Sequence, residues 1–218
     1  MKMAVLGTGV VGNTIGSRLV ELGHTVMMGS RTASNEKALA FVSKHGKEKA
    51  SAGTFADAAA FGDIIFNCTK GMETLNILRS AGEKNMAGKI LIDLTNALDF
   101  SKGMPPTLSV CNTSSLGEEI QKAFPAAKVV KTLNTMWCGL MVNPALINNA
   151  DHQAFICSNH ADAKLQVTEI LKSFGWPEKS ILDLGDITAS RGTEMILPLW
   201  LRISGIRKNG AFNFKIVG

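Results

Sequence analysis

The 218-residue chain contains no tyrosine. That absence removes one reductase mechanism, the Tyr-x-x-x-Lys pair used as a general acid. Its four cysteines, Cys68, Cys111, Cys138 and Cys157, form no Cys-x-x-Cys pair, and no histidine stands at metal-ligand spacing from them. No metal is therefore expected. No apolar run approaches the ~20 residues that a membrane-crossing helix needs, and no signal peptide is recognisable, so no membrane partner is expected and a soluble cytoplasmic protein is. The formal charge is +5. Its lysines and arginines are scattered, without a basic run or interleaved aromatics, which argues against nucleic acid and fits a mild preference for anionic small molecules. Hydrophobic and charged contents of 45% and 19% are ordinary for an α/β protein.

What the chain does have begins at its first residues. A short apolar strand, Met1 to Leu6, runs into Gly7-Thr8-Gly9-Val10-Val11-Gly12 and then into a helical pattern. Strand, Gly-x-Gly-x-x-Gly and helix in that order hold a dinucleotide pyrophosphate in doubly wound folds. Gly7 permits the tight turn, Gly9 allows close approach of the phosphates, and Gly12 lets helix and strand lie together. The anion then meets free N–H groups at the positive end of the helix. Val11, Ile15, Leu19 and Leu22 mark the buried face of that helix, with Asn13, Ser17 and Glu21 opposite. Gly23 stops it, and His24 to Met28 reads as the second strand.

About 20 residues past the glycines, where NAD-binding chains usually carry a carboxylate, stand Ser30 and Arg31. A carboxylate would bond the ribose 2′-OH and repel a 2′-phosphate. A hydroxyl beside a guanidinium does the reverse, and Lys37 can add charge one turn into the next helix. The pattern favours NADP(H).

Strand and helix continue to alternate. Ser34 is read as the cap of a helix running to His45. Thr54 to Asp57 is read as a capping box opening an Ala-rich helix, and Ser115 to Glu118 as another. Asp63–Cys68 and Lys89–Leu94 suit buried parallel strands, and Lys128–Leu133 is read as the strand that completes the nucleotide-binding sheet. Gln153–Cys157, Ala161–Phe174 and Ile181–Leu184 follow as strand, helix and strand. A last helix spans Glu194 to about Ile206, with Pro198 bending it or marking its first turn. The expected fold is α/β, a Rossmann-type doubly wound, mainly parallel sheet with a small C-terminal α/β portion. Residues 1–140 form its NADP-binding domain and 141–218 the smaller part, with a soft boundary.

Ligands in such sheets bind beyond the carboxyl ends of strands. Thr69, Asn96 and Asn134 stand there and can bond ribose or carboxamide groups. The connection from Ala97 to Ser114 is long, shows no obvious secondary structure, and is a candidate lid or binding loop. None of His24, His45, His152 and His160 falls at such a strand end, and no catalytic acid or base is assigned. Hydride transfer between two ring cofactors needs none in principle; the protein supplies orientation and excludes water. The apolar stretches around Met136–Met141 and Met195–Trp200 suit core, dimer interface or a ring surface.

These features together resemble the family of NADPH-dependent deazaflavin (coenzyme F-420) reductases, itself similar to the nucleotide domain of STEAP-type ferric reductases. The resemblance is carried by Gly7–Gly12, Gly29-Ser-Arg-Thr32, Asp93–Phe100, Val130–Thr135, Ser101–Pro106 and Ile196–Arg202. It implies NADP(H) held through Thr8, Gly9, Ser30 and Arg31, a homodimer, and hydride transfer to a deazaflavin F-420 or flavin as small-molecule ring acceptor. Two other readings share the N-terminal pattern. One is a small imine or carbonyl reductase of the hydroxyacid dehydrogenase or pyrroline carboxylate reductase type. Those usually carry a helical second domain of roughly a hundred residues, more than remain here. The other is a non-catalytic NADPH sensor.

Overall fold

The computed structural model describes residues 1–218. In chain order it contains β1 (Lys2–Leu6), α1 (Val10–Glu21), β2 (Thr25–Ser30), α2 (Glu36–His45), β3 (Ala50–Thr54), α3 (Phe55–Phe61) and β4 (Ile64–Asn67). Then come α4 (Thr74–Ala81), α5 (Glu83–Met86), β5 (Ile90–Asp93), the short strands β6 (Leu98–Asp99) and β7 (Thr107–Leu108), and α6 (Leu116–Ala123). β8 (Lys128–Thr132), α7 (Cys138–Val142), β9 (Ala154–Cys157), α8 (Ala161–Ser173), β10 (Ile181–Asp183), α9 (Ser190–Met195) and α10 (Leu197–Arg207) complete it.

Eight strands form one sheet in the order β10-β9-β8-β5-β4-β1-β2-β3. All neighbours are parallel except β8 and β9. From β1 the chain winds outward through β2 to β3, then crosses back and winds the other way through β4, β5 and β8. The reversal lies between β1 and β4 and opens a crevice beyond their carboxyl ends. Alternation along β1 shows how the sheet is buried on both faces. Met3 and Val5 enter one core with Ile15, Phe41 and Trp176, while Ala4 and Leu6 enter the other with Leu78, Ile120 and Phe124.

The expected α/β Rossmann-type fold is observed, with differences at several edges. β3 has no counterpart in the expected strands, because Ala-Ser-Ala-Gly-Thr lacks an apolar run. It forms as an edge strand on β2, with Gly53 leaving room for the Asp57 side chain. The cap of α2 is Asn35, not Ser34; its side chain accepts from the Ala38 N–H at 3.1 Å. The Thr54–Asp57 capping box is complete. At Ser115 only half of one forms: its hydroxyl accepts from the Glu118 N–H, and the Glu118 carboxylate turns to that hydroxyl and to Arg191. The Ala97–Ser114 connection carries structure of its own, the β6–β7 antiparallel pair. The terminal helix is two helices, since Pro198 has no N–H for the Glu194 carbonyl and the ladder breaks at Ile196.

Candidate dinucleotide-binding crevice

β1 ends in the glycine loop. Gly7 has φ +113°, and a Cβ there would lie 2.6 Å from the Cys68 carbonyl oxygen. A Cβ on Gly12 would lie 2.0 Å from the Gly7 carbonyl oxygen, so α1 can approach β1 only without one. Gly9 differs from both: a Cβ there meets nothing within 4 Å. Gly7 and Gly12 shape the loop, whereas Gly9 keeps a space open. Gly9 also stands at the start of α1, and no side chain caps the helix. The first-turn N–H groups, including those of Val10 and Val11, face the opening with the positive end of the dipole behind them. The hollow there, about 280 Å³, is lined by Thr8, Gly9, Val10, Asn13, Lys37 and Ala40. A larger groove of about 540 Å³ runs along the outer face of α1, past Ser17, Arg18 and Glu21 toward Lys44 and Phe174. It leads away from the strand ends.

At the end of β2, Ser30 is buried and its hydroxyl donates to the Thr32 carbonyl at 2.5 Å, fixing the turn. Arg31 is exposed, as is Lys37, and neither is paired with a carboxylate. Gly7 to Gly12, Arg31 and Lys37 therefore surround one rim with free cationic and N–H donors. A glycine cradle that a Cβ would fill, next to an uncapped helix start, fits a dinucleotide diphosphate.

The opposite side of the crevice is built differently. Thr69 lies within hydrogen-bond distance of Asn67 Oδ1 (2.8 Å) and Thr74 Oγ1 (2.9 Å). Asn96 and Asn134 hold each other: Asn96 Nδ2 donates to the Asn134 carbonyl, and Asn134 Nδ2 to Asn96 Oδ1, both at 2.9 Å. Asn134 Nδ2 also donates to the Thr193 carbonyl of α9 at 3.1 Å. Beneath them lies a buried charge cluster that the sequence reading did not single out. Lys131 Nζ meets Asp93 Oδ2 and Glu194 Oε1, each at 2.8 Å, and the Thr95 carbonyl at 2.5 Å. All three charged side chains are at most 2% exposed. Burial alone pushes the Lys131 ammonium down, but the two carboxylates outweigh it and hold its pKa above the ordinary value. Asp93 Oδ1 accepts from Asn67 Nδ2, the Thr95 hydroxyl and the Thr95 N–H. Glu194 accepts from the Leu116 and Gly117 N–H groups, the first two of α6. The available signal was a lysine inside the apolar run Lys128–Leu133, since a charge in a doubly covered strand must find partners.

None of the four histidines reaches the crevice; His45, His152 and His160 are bonded to Ser17, Pro144 and Gln121. No three metal-binding side chains converge. No helix is long and apolar enough to cross a membrane.

An open, mainly parallel sheet with a glycine cradle at its switch point defines a Rossmann-type dinucleotide-binding protein. The sequence model of the family described as "NADP oxidoreductase coenzyme F420-dependent" matches residues 2–97. A solved structure from Arthrobacter sp. FB24, bearing the name F420-dependent NADP-reductase, is 47% identical over 100% of both chains, with a TM-score of 0.93. The chain belongs to this family of F420-dependent NADP oxidoreductases. It is also 28% identical to Metalloreductase STEAP3 of Rattus norvegicus over 91% of its own length, and spans 38% of that protein. A reductive aminase from Aspergillus terreus in complex with NADPH shares the fold, at 19% identity, a TM-score of 0.65 and coverage of 95% of this chain and 62% of the other.

Proposed function

We propose that the protein is an NADP(H)-dependent oxidoreductase that passes hydride between NADPH and a deazaflavin or flavin-like ring. The observation that carries the cofactor choice is the rim beside β2, where exposed Arg31 and Lys37 stand with no carboxylate paired to them. Gly7, Thr8, Gly9, Val10, Val11 and Gly12 hold the diphosphate through backbone N–H groups, and Arg31 and Lys37 take the 2′-phosphate. Ser30 serves by shaping the turn that presents Arg31. Thr69, Asn96 and Asn134 line the nicotinamide side. NADPH supplies the hydride when bound; the chain binds, orients and excludes water, and no side chain is required as acid or base. Membership in a family named for coenzyme F420 supports the ring acceptor.

The acceptor surface belongs to the 141–218 portion together with Trp137. Apolar side chains stay exposed there: Trp137, Met195, Leu199 and Ile206 are 41%, 40%, 53% and 76% accessible. α10 is apolar on several sides yet buries only Leu197, which suits a second copy of the chain across it and hence a homodimer. Four free thiols suit a reducing, cytoplasmic setting. The partner is a small molecule rather than a nucleic acid.

The test is anaerobic mixing with NADPH and coenzyme F420, then with FMN and FAD, following loss of acceptor absorbance. Saturable, NADPH-dependent reduction of the deazaflavin is the expected result. Reduction of flavins alone would keep the reaction class and remove the named acceptor. Tight NADPH binding without turnover on any ring would contradict the reading and favour a sensor.

A further inference from the structure

Three segments meet around Lys131, and each carries a neighbour of the Asn96–Asn134 pair. The Lys131 ammonium bonds the carbonyl of Thr95, the residue before Asn96. Lys131 itself lies three residues before Asn134 on the same strand end, where Leu133 takes a left-handed backbone (φ +60°) although its side chain is 1% exposed. Glu194 follows Thr193, whose carbonyl receives the Asn134 amide. A bulky residue keeps such a conformation only where its surroundings over-determine it. Here the apolar core takes in the Leu133 side chain, and the bonds of the next residue, Asn134, to Asn96 and Thr193 hold the backbone beyond it.

The consequence for the two amides follows from their valence. Both Asn134 Nδ2 hydrogens are engaged, one by Asn96 Oδ1 and one by the Thr193 carbonyl, so the amide cannot flip without losing both bonds. Its Oδ1 has no protein partner and can only accept. Asn96 has spent one Nδ2 hydrogen on the Asn134 carbonyl and its Oδ1 on Asn134, leaving one donor. One free acceptor and one free donor is the complement of a carboxamide, the polar group of nicotinamide.

Resting on the hydride-transfer reading above, we infer that Glu194 is a positioning residue for the nicotinamide ring, acting through Asn134 and Asn96. Its carboxylate joins Lys131 to the first two N–H groups of α6, and so fixes α9 against the ends of β5 and β8. Further contacts between α9 and α6 leave the carboxylate little freedom: Arg191 grips Glu118 through two nitrogens, at 2.8 and 2.6 Å, and Ser190 meets Ser115 at 2.6 Å. Glu194 touches neither ring; it sets the orientation of the amide that does.

Glu194→Gln, Asn134→Ala and the double variant decide the matter with two readouts. One is the emission of bound NADPH, which reports how firmly the reduced ring is held without any turnover. The other is anaerobic kcat with the ring acceptor. In Glu194→Gln, which touches no part of the nucleotide, NADPH affinity is expected to stay within about threefold of wild type, because the glycine cradle is untouched. Ring emission and kcat should fall together, kcat by roughly tenfold to a hundredfold, the scale of a small misplacement at a reacting centre. The double variant should be no worse than the worse single one, because both act on one element. Wild-type emission and kcat in Glu194→Gln, or losses that simply add in the double variant, would overturn the inference. Should Glu194→Gln fail to fold, Lys131→Met combined with Asp93→Asn and Glu194→Met removes all three buried charges together and takes its place. If no ring acceptor is turned over by the wild type, the hydride-transfer reading falls, while the emission of bound NADPH still decides the role of Glu194.

Discussion

The two sides of the crevice are built on opposite principles. At the diphosphate side the chain withholds side chains: Gly9 leaves open space, α1 starts without a cap, and Arg31 and Lys37 have no internal partner. At the side proposed for the nicotinamide almost every polar atom is already engaged, from Asn67 and Asp93 through Lys131 to Glu194 and the paired asparagines. A site that must neutralise charge keeps donors free, because donors spent inside the protein cannot bind an anion. A site that must orient a ring spends its donors on itself, because rigidity and not affinity is what it supplies. On the proposed reading, the first side governs which dinucleotide binds, and the second how the ring is presented.

Changes confined to one side should leave the other working, and the largest effect is expected at the buried cluster. Lys131→Met leaves two buried carboxylates without their cation and should cost about 3–5 kcal/mol of stability. For a chain of this length that lowers Tm by roughly 6–20 °C, read by thermal unfolding, with NADPH binding retained below the transition. Gly9→Val works the other way. Its backbone is ordinary for any residue (φ −72°, ψ −175°) and its surroundings are empty, so Tm should hardly move. NADPH and NADH binding should both weaken by about a hundredfold or more, some 2.7 kcal/mol, as the added side chain fills the diphosphate space. Gly12→Ala sharpens the point, since its methyl would strike the Gly7 carbonyl and disturb loop and helix together.

Smaller effects are expected at the selective rim. Arg31→Asp should weaken NADPH by roughly tenfold to a hundredfold, the worth of one or two charge-assisted bonds, and change NADH little. Equal losses for the two nucleotides would remove the 2′-phosphate assignment. The smallest effect belongs to the α9–α6 contact. Hydrogen bonding from the half-exposed Arg191 holds the Glu118 carboxyl below its ordinary value of 4.5. A depressed carboxyl stabilises the fold above the unfolded value and loses that contribution as pH falls through the folded one. Arg191→Ala should therefore flatten the fall in Tm below about pH 4.5, by no more than about 1 kcal/mol given the exposure of the pair.

The same contrast explains what could be read without the structure. The glycine cradle, the missing carboxylate after β2 and the Thr54 capping box were legible because each is a local pattern whose partners lie within a few residues. β3 was not, since Ala50–Thr54 carries no large apolar side chain, has Thr54 as its single β-branched residue, and owes its conformation to pairing with β2. Asn96 and Asn134 could be nominated from their places at strand ends, but not as a mutually locked pair. Lys131 and Glu194 stand far apart in the chain, and only the sheet order that sets β5 beside β8 brings Asp93 to the same point. Ser30 was legible as a polar residue at the rim, yet its hydroxyl proton is given to Thr32.

The most direct measurement is calorimetric titration of the wild-type protein with NADPH and, separately, with NADH. The free cations at the rim predict that NADPH binds at least about tenfold tighter, the worth of one charge-assisted contact to the 2′-phosphate. Equal affinities, or a preference for NADH, would contradict the account at its centre.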